Sequence, residues 1–108
     1  MIEYLSLQKI NALHEQEIVD AVEKVVRSGW YLHGQATERF ERHYADFIGT
    51  RHCIGCGNGL DALTLIFRAY KELGVLHDDD EILVPANTFV ASILSITENG
   101  LRPILVEP

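Results

Sequence analysis

The fold of this chain is decided by the stretch His52-Cys53-Ile54-Gly55-Cys56-Gly57-Asn58-Gly59-Leu60-Asp61-Ala62-Leu63. An apolar run suited to a strand leads into a turn in which three glycines alternate with other residues, and an apolar helical run follows. Such a turn lets backbone N–H groups converge at a helix N-terminus, where the helix macrodipole favours an anion. The stretch therefore predicts a strand, an anion-binding turn and a helix.

A second stretch also has the pattern of a strand, a turn and a helix. Its sequence is Ile82-Leu83-Val84-Pro85-Ala86-Asn87-Thr88-Phe89-Val90-Ala91-Ser92. A strand is predicted over Glu81–Val84 and ends at Pro85, because proline cannot donate a ladder hydrogen bond. A helix is predicted over Thr88–Asn99 with Thr88 as its cap, and a further strand over Leu101–Val106. The aromatic ring of Phe89 therefore follows the tip of a strand.

The order of these elements predicts a parallel α/β sheet. Strand Arg51–Cys56, helix Leu60–Leu73 and the later elements form a strand–helix–strand–helix–strand segment with short connections. Right-handed crossovers place both helix N-termini at the carboxyl ends of the strands, where ligands bind. The turn at residues 57–59 and the segment 87–89 should then face one crevice. Because helix Leu60–Leu73 is apolar around most of its circumference, we expect it to be largely buried.

Two helices are predicted before the sheet. Residues 8–28 follow a 3.6-residue apolar period that ends at a glycine, and Thr37–Ile48 has aromatic residues on one face and Thr37 as a candidate cap. Residues 29–35 interrupt the helical pattern with two glycines, two aromatic residues and a histidine. This loop either packs its aromatic rings into a core or presents Tyr31 or His33 to a ligand, and the sequence leaves both possibilities open.

The composition excludes several classes of function. The chain has 108 residues, of which 47% are hydrophobic, and a formal net charge of −7. An acidic chain without a basic stripe does not suit nucleic acid, and its apolar runs are far shorter than the roughly 20 residues that span a bilayer. The start, Met1-Ile2-Glu3-Tyr4, lacks the features of a signal peptide. We therefore expect a cytoplasmic protein that binds neither nucleic acid nor membrane.

Each of these motifs also has an ordinary structural explanation. The turn Gly55-x-Gly57-x-Gly59 has neither the Rossmann spacing nor the lysine of a P-loop, so a tight turn without a ligand stays open. Phe89, taken alone, is more typical of a core. The pair Cys53-x-x-Cys56 lies in a predicted strand, which favours packing thiols over a redox pair or a zinc site. The charge run His77–Glu81 predicts a solvated connection.

Taken together, these residues resemble the N-terminal portion of the DegT/DnrJ/EryC1/StrS family of pyridoxal-phosphate-dependent sugar aminotransferases. The resemblance extends to Val106-Glu107-Pro108, and the central motifs at residues 57–63 and 85–89 have the family's spacing. Within the family they are most similar to the branch that aminates nucleotide-linked 3-keto-6-deoxyhexoses. The implied fold is the N-terminal part of the large domain of a fold-type I, aspartate aminotransferase-like enzyme. It is a parallel βαβαβ segment preceded by two helices, with a helical segment at residues 1–50 and an incomplete cofactor-binding α/β domain at residues 51–108.

The resemblance implies a cofactor, pyridoxal 5′-phosphate, and residues that bind it. The family holds the cofactor phosphate with backbone N–H groups at the turn into the helix, and these positions match Gly59, Leu60 and Asp61. Leu60 stands where the family usually has Ser or Thr, so only its backbone donor carries over. The aromatic residue that stacks on the pyridine ring matches Phe89.

The resemblance also implies a substrate loop and partners. The loop near the family's substrate matches residues 31–34, which makes Tyr31, His33 and Gly34 candidate substrate-binding residues. The implied reaction is transamination in deoxysugar biosynthesis, for surface polysaccharides or secreted glycosides. Its partners are a nucleotide-linked keto sugar, an amino donor that the family suggests is glutamate, and a second copy of the chain in a homodimer. No metal is implied.

The family's Schiff-base lysine and the acid that pairs with the pyridine nitrogen lie well downstream of these motifs. Lys9, Lys24 and Lys71 do not match the position of that lysine. We therefore expect these residues to be the opening segment of a longer protein and to be inactive alone. Two alternatives stay open: a dehydratase of the same family in which histidine replaces the lysine, and a non-catalytic α/β module that binds a phosphorylated ligand.

Overall fold

The structure is a computed structural model that describes residues 4–108. These residues form two compact units, which meet in the sequence between Gly55 and Cys56. The first unit is helical and the second combines helices with a parallel sheet. Within the described residues, no helix is both long enough and apolar enough to cross a membrane.

The first unit begins with two helices where the sequence predicted one over residues 8–28. Helix α1 covers Leu7–Ala12 and helix α2 covers Glu15–Ser28. The break lies at Leu13 and His14, whose N–H groups donate to carbonyls three residues earlier, at 3.2 and 3.0 Å. Such bonds tighten and end a helical turn. The prediction of one continuous helix was wrong because the apolar period runs on across the break.

Helix α3 covers Gln35–Ile48 and begins two residues before the predicted start. Its cap is Gly34, which makes no side-chain hydrogen bond, and Thr37 lies inside the first turn, so the prediction of Thr37 as the cap was wrong. The ends of α2 and α3 agree with the sequence. Gly29 and Gly49 adopt positive φ angles of 68° and 80°, which favour glycine. Three helices, rather than two, therefore precede the glycine-rich turn.

The predicted strand Arg51–Cys56 does not form within the described chain. These residues are not part of a helix or strand, and no described strand pairs with them. The backbone N–H of Gly55 donates to a side chain, Glu41 Oε1, at 2.6 Å. Ile54 is 81% exposed. An apolar run makes a strand only where a neighbouring strand supplies ladder hydrogen bonds, and sequence alone could not show that requirement.

The second unit is a βαβ segment preceded by a helix. Helix α4 covers Gly59–Glu72, strand β1 Glu81–Pro85, helix α5 Val90–Thr97 and strand β2 Arg102–Val106. Strands β1 and β2 pair in parallel from Glu81↔Arg102 to Pro85↔Val106. The α/β class with a parallel sheet is thus confirmed. The described sheet has two strands instead of the three of the predicted βαβαβ segment, because residues 51–56 remain unpaired.

The core of this unit lies between α5 and the sheet. Val84, Ile96 and Leu101 are buried there, and further apolar side chains pack against them: Phe67, Leu76, Ile82 and Ile93. Helix α4 contacts α5 but has no buried residue. The expectation that α4 is largely buried was therefore wrong for the described structure, because the predicted third strand that would cover it is not formed.

Helix α5 begins later than predicted. Phe89 is its cap and forms no side-chain cap hydrogen bond, whereas Thr88, the predicted cap, lies outside the helix. The Thr88 hydroxyl lies 2.9 Å from the Ser92 hydroxyl, so the two side chains pair across the start of the helix. Phe89 therefore lies immediately before the first residue of α5.

The two cysteines do not form a packed pair. Both are free thiols, Cys53 is partly buried and Cys56 is exposed. The Cys56 thiol donates to the Asn58 carbonyl at 3.6 Å. The expectation of packing thiols was therefore wrong for Cys56, because its segment does not enter a sheet.

A polar cluster joins the C-terminal ends of α4 and α5. The Lys71 ammonium donates to the Asp78 carboxylate and to the Asn99 carbonyl, the latter at 2.7 Å. The buried Asn99 amide donates to the Ser95 carbonyl at 2.8 Å and to the Thr64 carbonyl at 3.2 Å. The charge run His77–Glu81, predicted to be a solvated connection, therefore takes part in the tertiary structure through Asp78.

The hydrogen bond from Lys71 and its positive charge lower the pKa of the Asp78 carboxyl from its ordinary value of 3.8. The carboxyl is well exposed to solvent, so the contribution to stability is small. A lowered pKa in the folded state means that the stabilisation is fully present above the ordinary pKa. It is lost as the pH falls through the lower folded-state pKa.

We expect Asp78→Asn to lower the urea midpoint of the protein near pH 7 and to have a smaller effect as the pH approaches about 3. Lys71→Met provides the matched control, because it removes the partner of the carboxylate. In the Lys71→Met background, Asp78→Asn should no longer have this pH-dependent effect. An equal effect of Asp78→Asn at both pH values would contradict the assigned ion pair.

Candidate functional site

Helix α4 begins with a reciprocal pair of hydrogen bonds between two side chains of the glycine-rich turn. Asn58 caps the helix, and its Oδ1 accepts the backbone N–H of Asp61 at 3.0 Å. In the other direction, Asn58 Nδ2 donates to Asp61 Oδ2 at 3.0 Å. Both side chains are thereby held at the start of the helix. The turn is fixed by its own residues, as in a capping box.

Two backbone donors at this helix start remain open. The first N–H groups of a helix have no partner inside it. Here the Asp61 N–H is bonded to Asn58 Oδ1 and the Ala62 N–H to the Asn58 carbonyl. The N–H groups of Gly59 and Leu60 have no hydrogen-bond acceptor in the part of the chain that the structure describes. Adjacent free donors at a helix N-terminus are suited to a phosphate oxygen.

The absence of a side chain at Gly57 leaves room for the Asp61 carboxylate. A Cβ atom built on Gly57 would lie 2.7 Å from Asp61 Oδ2, which is closer than any real contact of this kind. A Cβ atom on Gly59, by contrast, would meet no atom within 4 Å. The open space beside Gly59 leaves room for a ligand at the free donors. The hydrogen bond from Asn58 Nδ2 holds the Asp61 carboxylate in the space beside Gly57.

The starts of α4 and α5 line one cleft of about 630 Å³. The Phe89 ring, 78% exposed, lies at the α5 side of this cleft, and Gly59 and Leu60 lie at the α4 side. The expectation that the glycine-rich turn and the segment around Phe89 face one crevice is thus confirmed for these residues. The complete lining consists of Asn58, Gly59, Leu60, Leu63, Phe89, Val90, Ala91, Ser92 and Leu94.

The chemistry of the cleft suits a flat, apolar group that carries a phosphate. Its lining has no acidic or basic side chain and is mostly apolar. The free N–H groups of Gly59 and Leu60 supply the attraction for an anion, assisted by the α4 macrodipole. Phe89 supplies an aromatic face, which favours stacking against a planar ring. Within residues 4–108, no group of three or more His, Cys, Asp or Glu side chains is arranged so that it could hold a metal ion.

The candidate substrate residues belong to the first compact unit, in the loop between α2 and α3. The Tyr31 hydroxyl donates to the Val26 carbonyl at 3.3 Å, and His33 is exposed with a positive φ of 49°. Gly34 is buried, and a Cβ atom there would lie 3.2 Å from the Trp30 ring. The aromatic loop is therefore held by local contacts, and the substrate-binding role of Tyr31, His33 and Gly34 stays a prediction.

The sequence analysis missed the role of the Asn58 side chain. It treated Asn58 as part of a glycine-rich turn and expected the N–H of Asp61 to face the phosphate. The structure bonds that N–H to Asn58 instead. A signal was present, because Asn followed three residues later by an acidic residue is typical of a capped helix start.

Comparison with known proteins gives one family match. Residues 12–108 match the DegT/DnrJ/EryC1/StrS aminotransferase family. A relative from Aneurinibacillus thermoaerophilus, dTDP-3-amino-3,6-dideoxy-alpha-D-galactopyranose transaminase, is 50% identical over all of this chain and 29% of its own length. A second, dTDP-3-amino-3,4,6-trideoxy-alpha-D-glucose transaminase from Micromonospora megalomicea, is 42% identical over 84% of this chain and 23% of its own length. The chain thus spans less than a third of these relatives.

Solved structures show the same similarity. S. venezuelae DesV in complex with a ketimine intermediate is 36% identical and superposes with a TM-score of 0.86, covering 99% of this chain and 28% of DesV. A DegT DnrJ EryC1 StrS aminotransferase from Brucella abortus is 27% identical, with a TM-score of 0.87 over 98% of this chain and 27% of its own. The arrangement of helices and strands described above is therefore shared with both proteins.

We expect Gly57→Ala and Asp61→Ala to be energetically coupled by about 1 kcal/mol in the free energy of unfolding. The methyl group at position 57 displaces the Asp61 carboxylate from Asn58, and this cost disappears when the carboxylate is absent. A double-mutant cycle measured by urea unfolding gives the coupling. Gly59→Ala is the matched control, because its Cβ atom has open space, and its effect should add to that of Asp61→Ala. Additive effects for Gly57→Ala would contradict the close contact.

Proposed function

Because the chain belongs to the DegT/DnrJ/EryC1/StrS aminotransferase family, we propose that it is the N-terminal part of a pyridoxal-phosphate-dependent aminotransferase that acts on a nucleotide-linked keto-deoxysugar. The whole enzyme would transfer an amino group from a donor, which we propose is glutamate, to the keto carbon of the sugar. The relatives named as transaminases of dTDP-linked 3-amino sugars support this choice. They favour a 3-keto-6-deoxyhexose as the sugar.

One observation carries the proposal, namely the cleft at the starts of α4 and α5. It joins two free backbone donors, at Gly59 and Leu60, to an exposed aromatic ring at Phe89. A phosphorylated pyridine ring needs both features. When bound, pyridoxal phosphate would supply the electron-withdrawing ring that makes amino transfer possible.

The residues of this chain would hold and orient the cofactor. Gly59 and Leu60 would bind its phosphate through their backbone N–H groups, and Phe89 would pack against its ring. Asp61, predicted as a third phosphate ligand, already has its N–H bonded to Asn58. We therefore assign Asp61 to the support of the turn. We propose that Tyr31, His33 and Gly34 contact the sugar substrate.

The family resemblance also supports proposals about domains, location and assembly. We propose that residues 1–50 form a helical N-terminal segment, that residues 51–108 begin the cofactor-binding domain, and that the protein is a cytoplasmic homodimer. Large apolar side chains on α2 and α3 are exposed in the described structure, including Val22, Phe40 and Phe47. Burial of such side chains by the rest of the protein or by a second subunit would lower its free energy.

The alternatives have weaker support. The hypothesis of a dehydratase depends on which residue occupies the Schiff-base position. That position lies outside the motifs described above. The related dehydratase structure, E. coli GDP-4-keto-6-deoxy-D-mannose-3-dehydratase, is only 24% identical and shows similarity of fold. The relatives at 50% and 42% identity are transaminases, which favours amino transfer. A non-catalytic module would need to bind a phosphorylated ligand without transferring an amino group.

The proposal is tested with the full-length protein, pyridoxal phosphate, glutamate and a dTDP-linked 3-keto-6-deoxyhexose. We expect an amino sugar nucleotide and 2-oxoglutarate, measured by mass spectrometry. Phe89→Ala should raise the dissociation constant of pyridoxal phosphate by about fivefold or more, because a stacked aromatic contact is lost.

Phe89→Tyr is the matched control, since it keeps the aromatic face, and it should retain the cofactor nearly as well as the wild type. Equal dissociation constants for Phe89→Ala and the wild type would refute the role of Phe89. Reversible binding of the cofactor with no amino transfer to any keto-deoxysugar nucleotide would favour the non-catalytic module.

A further inference from the structure

Asp61 places a negative charge at the same helix start that offers donors to an anion. Its Oδ2 accepts a hydrogen bond from Asn58 Nδ2 at 3.0 Å, and the backbone of Gly57 lies so close that an added Cβ would be 2.7 Å from that oxygen. The carboxylate is therefore held beside the turn by this hydrogen bond, on an exposed residue. It lies in the first helical turn, together with the free N–H groups of Gly59 and Leu60.

The charge of Asp61 has no positive partner. Some acidic side chains of this unit are paired with arginine, namely Glu72 with Arg68 and Glu81 with Arg102. Within residues 4–108, no lysine, arginine or histidine forms an ion pair with Asp61. The cleft is also lined without any basic side chain. A phosphate at this helix start would be attracted by backbone dipoles and repelled by one uncompensated carboxylate.

We propose that Asp61 limits the affinity of the α4 start for the cofactor phosphate, acting through charge repulsion and not as a phosphate ligand; this inference rests on the function proposed above. Its N–H cannot offset the repulsion, because Asn58 Oδ1 already accepts it. The carboxylate nevertheless stabilises α4, since it bonds Asn58 and lies at the positive end of the macrodipole. Asp61 thus stabilises the helix start and weakens the binding of phosphate there.

The test compares wild-type full-length protein with Asp61→Asn, which keeps the size of the side chain and an oxygen acceptor for Asn58 but removes the charge. At low ionic strength, Asp61→Asn should bind pyridoxal 5′-phosphate about fivefold more tightly, because the repulsion between the carboxylate and the phosphate dianion is removed. The difference should shrink as KCl approaches about 0.5 M, because salt screens the repulsion. Equilibrium dialysis at several salt concentrations gives the dissociation constants.

Two controls separate charge repulsion from other effects. Pyridoxal, which has no phosphate, should bind the wild type and Asp61→Asn equally. Asp79→Asn removes a carboxylate beyond the opposite end of α4, roughly 20 Å away for a helix of this length. Asn tolerates the positive φ of 68° at that position, so this variant should bind pyridoxal phosphate as the wild type does.

The outcomes distinguish this inference from the proposed function. Tighter binding of pyridoxal phosphate by Asp61→Asn alone, with a salt-dependent gain, would support the role of Asp61. Equal or weaker binding by Asp61→Asn, in a protein whose wild type binds the cofactor and transfers amino groups, would overturn the inference and leave the proposed function standing. A wild type that binds no pyridoxal phosphate would overturn both.

Discussion

The hydrogen bond from the Asp61 N–H to Asn58 Oδ1 determines how the candidate site is built. By occupying the third N–H of α4, it fixes where the helix begins and leaves the N–H groups of Gly59 and Leu60 as the free donors. The return bond from Asn58 Nδ2 holds the Asp61 carboxylate, and a side chain at position 57 would have to displace that carboxylate. A single side-chain cap therefore couples the stability of the helix to the number of donors that an anion can reach.

The rest of the second unit holds this helix start beside Phe89. Helix α4 packs against α5, and Asn99, just after α5, is bonded to Lys71 near the C-terminal end of α4 and to Thr64 near its middle. Ile96, only 1% exposed, anchors α5 to the parallel strands. The N-terminal ends of both helices line one cleft. The position of the aromatic ring relative to the free donors thus depends on packing at a distance from the site.

Much of this arrangement could be predicted from the sequence. The glycine-rich turn, the helix after it and both strands of the sheet have local signals, and the α/β class follows from their order. The prediction failed at residues 51–56 because a strand depends on a partner, and at α4 because burial depends on a third strand. It also failed at Leu13, where an apolar period conceals a break in the helix.

The chemistry of the candidate site could be predicted only in part from the sequence. Spacing could place Gly59, Leu60 and Phe89 near one edge, because parallel βαβ topology brings such junctions together. It could not show that Asn58 takes the N–H of Asp61, since that depends on a side-chain rotamer. The fold provides the cleft, and one rotamer determines which of its donors remain free.

The central claim is that the N–H groups of Gly59 and Leu60 bind the cofactor phosphate. The most direct measurement is the NMR signal of each backbone amide in ¹⁵N-labelled full-length protein during titration with pyridoxal 5′-phosphate. We predict downfield proton shifts at Gly59 and Leu60, and a smaller change at Asp61, whose N–H is already bonded to Asn58. Cofactor binding that leaves the Gly59 and Leu60 signals unchanged would contradict the claim.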